Sequence, residues 1–141
     1  NNVNLLIKQA STNKKIRIPG DGLTEAYTVL FKDLLNGFLK AVFGASKENL
    51  FFLFPKNPIS LISFAHMLQK KDPHIAVDFV KAKEPQLEIN IPEQGEYLLD
   101  EPYNIQEKIN LLDLETIDMK LPESASAERE SRIPKINLNI F

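Results

Sequence analysis

The chain has no cysteine, which excludes a disulfide scaffold, a cysteine-ligated zinc site and a thiol nucleophile. It has no run of 18 apolar residues, so no segment reads as a membrane-crossing helix. Its five glycines build neither a G-x-G-x-x-G nor a GK[ST] phosphate loop. No serine lies in a G-x-S-x-G turn, so serine nucleophile chemistry is not expected. The two histidines, His66 and His74, lack H-x-x-x-H or H-x-x-E spacing. From these absences, no cofactor and no metal ion are expected.

What remains is 141 residues, 43% hydrophobic and 26% charged. That suffices for one domain, residues 1–141, with its own core. A net charge of −2 hides an asymmetry: residues 1–70 carry +5 and residues 71–141 carry −7. Either the halves pack together and their fields partly cancel, or the surface is dipolar and steers a charged protein partner. Nucleic acid is a poor partner, because the basic half has a single arginine, Arg17, and its aromatics sit in apolar runs rather than between cations. Lysine outnumbers arginine 14 to 3, a usage that points to an AT-rich, microbial genome. The sequence begins at Asn1 without a leader and reads as processed or trimmed, which leaves cytoplasmic and exported locations both open.

Along the chain, Val3, Leu5 and Ile7 alternate and predict a strand over residues 3–7, paired as a hairpin with a second over 15–18. Pro19-Gly20-Asp21-Gly22 ends it as a turn. Residues 23–43 predict the longest helix, apolar over most of its girth and therefore central and buried, with a weak point at Asn36-Gly37. Residues 49–54 predict an interior strand. Asn57-Pro58 predicts a helix start, with Leu61, Phe64, Ala65 and Leu68 on one face and Lys70 and Lys71 favouring its C-terminal end.

From Asp72 the period becomes two. Ile75, Val77 and Phe79 predict a strand, as do Leu87, Ile89 and Ile91, and a short one is expected over 97–99. Residues 105–115 carry two signals. Asn104 with Glu107 looks like a capping box, yet Ile109, Leu111, Ile117, Met119 and Leu121 alternate like a bulged strand, and the strand is preferred. Residues 122–134 predict an exposed polar loop, and Ile136, Leu138 and Ile140 a terminal strand that pairs with an interior or N-terminal strand. The expectation is an α+β fold: a mainly antiparallel β-sheet with two helices packed on one face. A β-sandwich with inserted helices is the alternative.

Two surfaces carry functional signals. Glu93, Tyr97, Asp100, Glu101 and Tyr103 interleave acids with tyrosines around prolines, a composition suited to a protein-docking rim. The terminal strand offers a second route, by strand addition. Asp113, Asp118 and Lys120 form the densest carboxylate–lysine group, and Asp118-Met119-Lys120 is similar to the D-x-K of the active strand of restriction-type nucleases, although the upstream Pro-Asp pair of those enzymes is missing. The favoured function is a non-catalytic protein–protein interaction module, a subunit, adaptor or immunity-like component of a microbial multiprotein assembly. The alternative is a metal-dependent phosphodiesterase or nuclease-like enzyme using Asp113, Asp118 and Lys120.

Overall fold

A computed structural model describes residues 2–82, 91–115 and 138–141. Its first element overturns the first sequence expectation. Residues Asn2–Asn13 form a helix, α1, that buries Val3, Leu6, Ile7 and Ala10 and leaves Leu5 outside. Those four lie at i, i+3, i+4 and i+7, a helical face. Leu6, the residue that breaks the alternation, is the sign of it. Lys14 takes a positive φ of 51°, and the chain turns directly into strand β1, Lys15–Pro19, whose Ile16 and Ile18 point into the core.

The turn over residues 19–22 needs its glycines. Gly20 and Gly22 have φ of 66° and 74°, and a Cβ on Gly22 would lie 2.9 Å from Ile18 Cγ2. Asp21 Oδ1 accepts from the Leu23 N–H at 2.9 Å. The expected long helix then divides. Its first part is strand β2, Glu25–Val29, and helix α2 covers only Phe31–Phe43. Tyr27, Thr28 and Val29 are strand formers, and the break falls at Leu30 rather than at Gly37. Short strands β3, Phe51–Phe52, and β4, Ile59–Ser60, follow.

Helix α3, Leu61–Lys71, starts three residues later than Asn57-Pro58 suggests, because residues 59–60 pair with β2. Ser60 is its N-cap and accepts from the Ser63 N–H. The Leu61 and Ile62 N–H groups donate to the carbonyls of Thr24 and Gly22, so the turn satisfies two donors that a helix start otherwise leaves open. The expected face of α3 is buried: Leu61, Phe64, Ala65 and Leu68. Strand β5 is Ala76–Val80, β6 is Glu96–Tyr97, helix α4 is Ile105–Asn110 and β7 is Leu138–Ile140. Helix α4 replaces the preferred strand. Asn104 accepts from the Glu107 N–H, so the capping-box signal carries the true information. The strand expected at 87–91 falls largely on residues outside those described, as do the alternation over 117–121 and the loop at 122–134.

The expected sheet is not found. Among the described residues there are three small sheets, ordered β1-β5, β4-β2-β7 and β3-β6. Of these described pairings, β2–β4 is antiparallel, and β1–β5, β2–β7 and β3–β6 are parallel. Among the described residues four helices, not two, interleave with them. Neither the mainly antiparallel sheet nor the sandwich describes this mixed α+β arrangement. Alternation reports one wet and one dry face; it does not report strand direction. The terminal strand does pair inside the chain, with Tyr27, Thr28 and Val29 opposite Leu138, Asn139 and Ile140.

One core holds α1, β1, α3 and α4 together. Val3, Leu6, Ile7, Ala10, Ile16, Ile18, Leu61, Phe64, Ala65, Leu68, Ile75, Ile105, Ile109 and Leu114 form it. Among the described residues, the Thr28 hydroxyl is fully buried without a hydrogen-bond partner, a local cost. A second, aromatic cluster lies apart from the main core. Phe54 packs on Tyr27 at 4.9 Å and on Phe52 at 5.5 Å, and Tyr97 on Phe52 at 4.8 Å.

Candidate functional site

Helix α2 stands out because its most apolar face looks outward. Phe31, Leu35, Phe38, Leu39, Val42 and Phe43 are between 44% and 81% exposed. At 100° per residue they fall on one face about 140° wide, in which Lys32 lies between Leu39 and Phe43. The opposite face carries Asp33, Leu34, Gly37, Lys40 and Ala41, and Gly37 is the helix's one buried residue. A Cβ on Gly37 would approach Leu53 Cδ2 to 3.0 Å and Leu99 Cδ2 to 3.5 Å, so the small residue lets the helix lie close on the segment beneath. The expectation of a central, buried helix is therefore corrected. The helix is peripheral, and it rests on its smaller and more polar side.

Polar contacts fix that orientation. Tyr103 Oη donates to Asp33 Oδ2 at 2.8 Å and accepts from the Leu30 N–H at 2.9 Å. Lys108 Nζ, on α4, reaches the same Asp33 oxygen at 2.9 Å and lies 5.3 Å from the Tyr103 ring centre. Burial raises the Tyr103 hydroxyl pKa above its ordinary value; the Leu30 N–H opposes that and Asp33 adds to it. The phenol thus stays protonated and keeps donating. At the other end of α2, Lys40 Nζ meets Asp100 Oδ1 at 3.2 Å. Between α2 and residues 98–108 runs an open groove of about 760 Å³, with Asn36, Lys40, Asp100, Asn104 and Glu107 among its walls.

The expected rim residues are dispersed. Tyr103 is half-buried and pins α2 from beneath, and Asp100 faces the groove through its pairing with Lys40. Tyr97 packs in the aromatic cluster with the Lys56 ammonium 5.4 Å from its ring. Glu101 Oε1 accepts from the Lys56 N–H at 3.2 Å. Glu93 is exposed. So the structure gathers Asp100 with Tyr103 on one groove, and Tyr97 with Glu101 around Lys56.

Asp113 follows α4, where its Oδ1 accepts from the Glu115 N–H at 3.0 Å. It borders a shallow depression with Lys14, Lys71, Asp72 and His74. Asp118 and Lys120 lie outside the described residues. Among the described residues, no three His, Cys, Asp or Glu side chains are grouped to hold a metal ion. Nor is any described helix long and apolar enough to cross a membrane. His66 is exposed on α3, its Nδ1 3.1 Å from Gln69 Oε1.

The outward stripe is present in the sequence as helical spacing, but spacing marks a shared face and not its orientation. The signal that orients it is the polar and small set Asp33, Gly37, Lys40 and Ala41 on the other side.

No known protein family and no curated protein matches the chain. Its fold is similar to part of a dehydratase. That protein is TunA, an NAD-dependent NDP-hexosamine 5,6-dehydratase involved in tunicamycin biosynthesis, at a TM-score of 0.56 and 17% identity. The likeness covers 81% of this chain and 41% of that one, so the chain spans less than half the length of the protein it resembles. At this identity the likeness concerns the fold alone.

Proposed function

We propose that the chain is a protein–protein interaction module and that it docks through the outward stripe of α2. The carrying observation is that stripe. Six large apolar side chains are left in water on one helix, while the helix's small and polar side is tied down by the Tyr103–Asp33–Lys108 contacts. Exposed apolar patches of this kind mark surfaces that another body covers. The acidic, tyrosine-bearing segment takes the role of support: Tyr103 holds α2 in place, Asp100 lines the groove beside it, and the stripe makes the contact.

The test is a photo-crosslinking phenylalanine analogue placed at Phe38 in the full chain, expressed in the source organism. The same analogue at Lys8, exposed on α1, is the control. A discrete adduct from position 38, absent from position 8, is expected. No adduct from position 38 sinks the reading.

A second reading is favoured by the fold likeness together with the groove. The neighbour acts on an NDP-hexosamine. A hydroxyl-rich ligand needs donors and acceptors side by side, and Asn36, Lys40, Asn104 and Glu107 supply both. In this reading the chain binds an NDP-hexosamine as one part of a larger assembly. Calorimetric titration with UDP-N-acetylglucosamine should then give heat that Lys40→Ala and Asn36→Leu each reduce. No heat at millimolar ligand ends it.

A further inference from the structure

The order of residues along the α2 stripe says more than that it is apolar. Phe31, Leu35, Phe38 and Val42 are spaced four, three and four residues apart, the seam spacing of paired helices. The set is also self-complementary when reversed. Turned about the midpoint between Asn36 and Gly37, Phe31 of one chain meets Val42 of another, and Leu35 meets Phe38. Each contact then pairs a large ring with a smaller aliphatic group, the combination that fills space without a clash. The four seam residues carry no charge, and Lys32 flanks them on the Leu39 side. Lys40 points to the other side, toward Asp100, and Asp33 is held by Tyr103 and Lys108. Antiparallel helices also set their dipoles head to tail.

Area points the same way. The stripe offers apolar surface on the order of 600 Å², at the top of what a monomer ordinarily leaves open. Phe43 lies off the seam, so the seam with Leu39 beside it offers on the order of 500 Å² per chain, and two of them meeting hide on the order of 1,000 Å², the size of a weak interface. A two-fold contact uses the same patch twice, so one surface completes both halves.

Resting on the docking reading above, we infer that the occupant of the α2 stripe is a second copy of this chain, packed antiparallel through α2 in a two-fold dimer. Position 35 of each protomer faces position 38 of its partner.

This register makes a charge-swap test decisive. Sedimentation equilibrium of the full chain, from roughly 1 to 200 µM, should show the mass rising from 16.0 kDa to twice that value, with a dissociation constant in the micromolar range. Leu35→Glu and Phe38→Lys should each weaken self-association at least tenfold, because each buries two unpaired charges in the homodimer. Mixed in equal amounts, the two variants should associate again. One interface then pairs the carboxylate introduced at position 35 of one protomer with the ammonium introduced at position 38 of the other, and keeps an intact Phe38–Leu35 contact. A parallel pairing gives no such rescue. A wild-type chain that stays at 16.0 kDa throughout overturns the inference without any variant. So does a dimeric wild type whose variants fail to rescue each other while their circular dichroism matches wild type. If the wild type is monomeric and position 38 still crosslinks to a different protein, self-pairing fails and docking survives. If position 38 gives no adduct either, both fail.

Discussion

Helices α2 and α3 have nearly the same apolar grammar and opposite fates. In α3, Leu61, Phe64, Ala65 and Leu68 sit at i, i+3, i+4 and i+7 and are buried against α1 and β1. In α2, Phe31, Leu35, Phe38 and Val42 keep a comparable period and remain in water. The residues opposite each stripe make the difference. The far side of α3 carries His66 and Lys70, which suit solvent and are exposed. The far side of α2 carries Gly37, which allows close approach, and Asp33, which Tyr103 and Lys108 capture. A helix turns to solvent the side that its neighbours do not hold, and in α2 that side is the greasier one.

The largest expected effect tests this contrast directly. Leu68→Ala, in the core, should cost about 2–5 kcal/mol of unfolding free energy, through lost burial and the cavity left behind. Phe38→Ala, on α2, should change the stability of the dilute monomer by no more than about 0.5 kcal/mol, although it deletes the larger side chain. Urea unfolding of both variants reads the difference. Comparable losses would mean that the α2 stripe is covered within the monomer, and the contrast between the helices would collapse.

A smaller effect should come from the polar contacts that orient α2. Tyr103→Phe removes the oxygen that accepts from the Leu30 N–H and donates to Asp33. Asp33 keeps Lys108, but the Leu30 N–H loses its acceptor at the start of a helix that has no side-chain N-cap. The expected cost is about 1–3 kcal/mol. Amide exchange at Leu30 should quicken more than at Leu68. Uniform quickening would instead place Tyr103 in the global core.

How much is legible in the sequence follows the same division. The inward faces of β1 and α3, the strand at β5, the turn over residues 19–22 and the internal pairing of the terminal strand are all readable. In β1 and α3 pattern and burial agree, whereas at β5 the strand forms with Ile75 buried and Phe79 53% exposed. Three misreadings share one cause. Residues 3–7, 23–29 and 105–110 each fit both a period of two and a period near 3.6 over a short window, so local pattern does not choose. Leu6, the Tyr27-Thr28-Val29 run and the Asn104–Glu107 pair are the deciding details. Strand direction is not legible, because pairing β1 with β5 or β2 with β7 depends on contacts far apart in sequence. Tyr103 is conspicuous in the sequence beside its acidic neighbours, but its contacts with Asp33 and the Leu30 N–H, which pin α2, depend on residues some seventy positions away and are not legible there.

The smallest expected effect compares one ion pair from each region. Lys14 Nζ to Asp72 Oδ2 is 2.7 Å and ties the end of α1 to the end of α3; Lys40 to Asp100 is 3.2 Å, with the Asp100 side chain 99% exposed. The Lys14 hydrogen bond, and after it the His74 N–H, hold the Asp72 carboxyl below the usual carboxylate range. A lowered folded-state pKa stabilises the fold above the unfolded value, and the contribution is lost as pH falls through the folded value. Asp72→Asn should therefore lower the melting temperature slightly at pH 7, and the gap to wild type should close as the pH drops below about 4. Both the amide and the protonated carboxyl can still accept from the His74 N–H, so that bond drops out of the comparison at low pH. Asp100→Asn should leave the melting temperature unchanged throughout, because a solvated pair gains little. A pH-independent deficit for Asp72→Asn would show that geometry and not charge makes this junction. An equal acid-sensitive deficit for Asp100→Asn would show that α2 is held as firmly as the core.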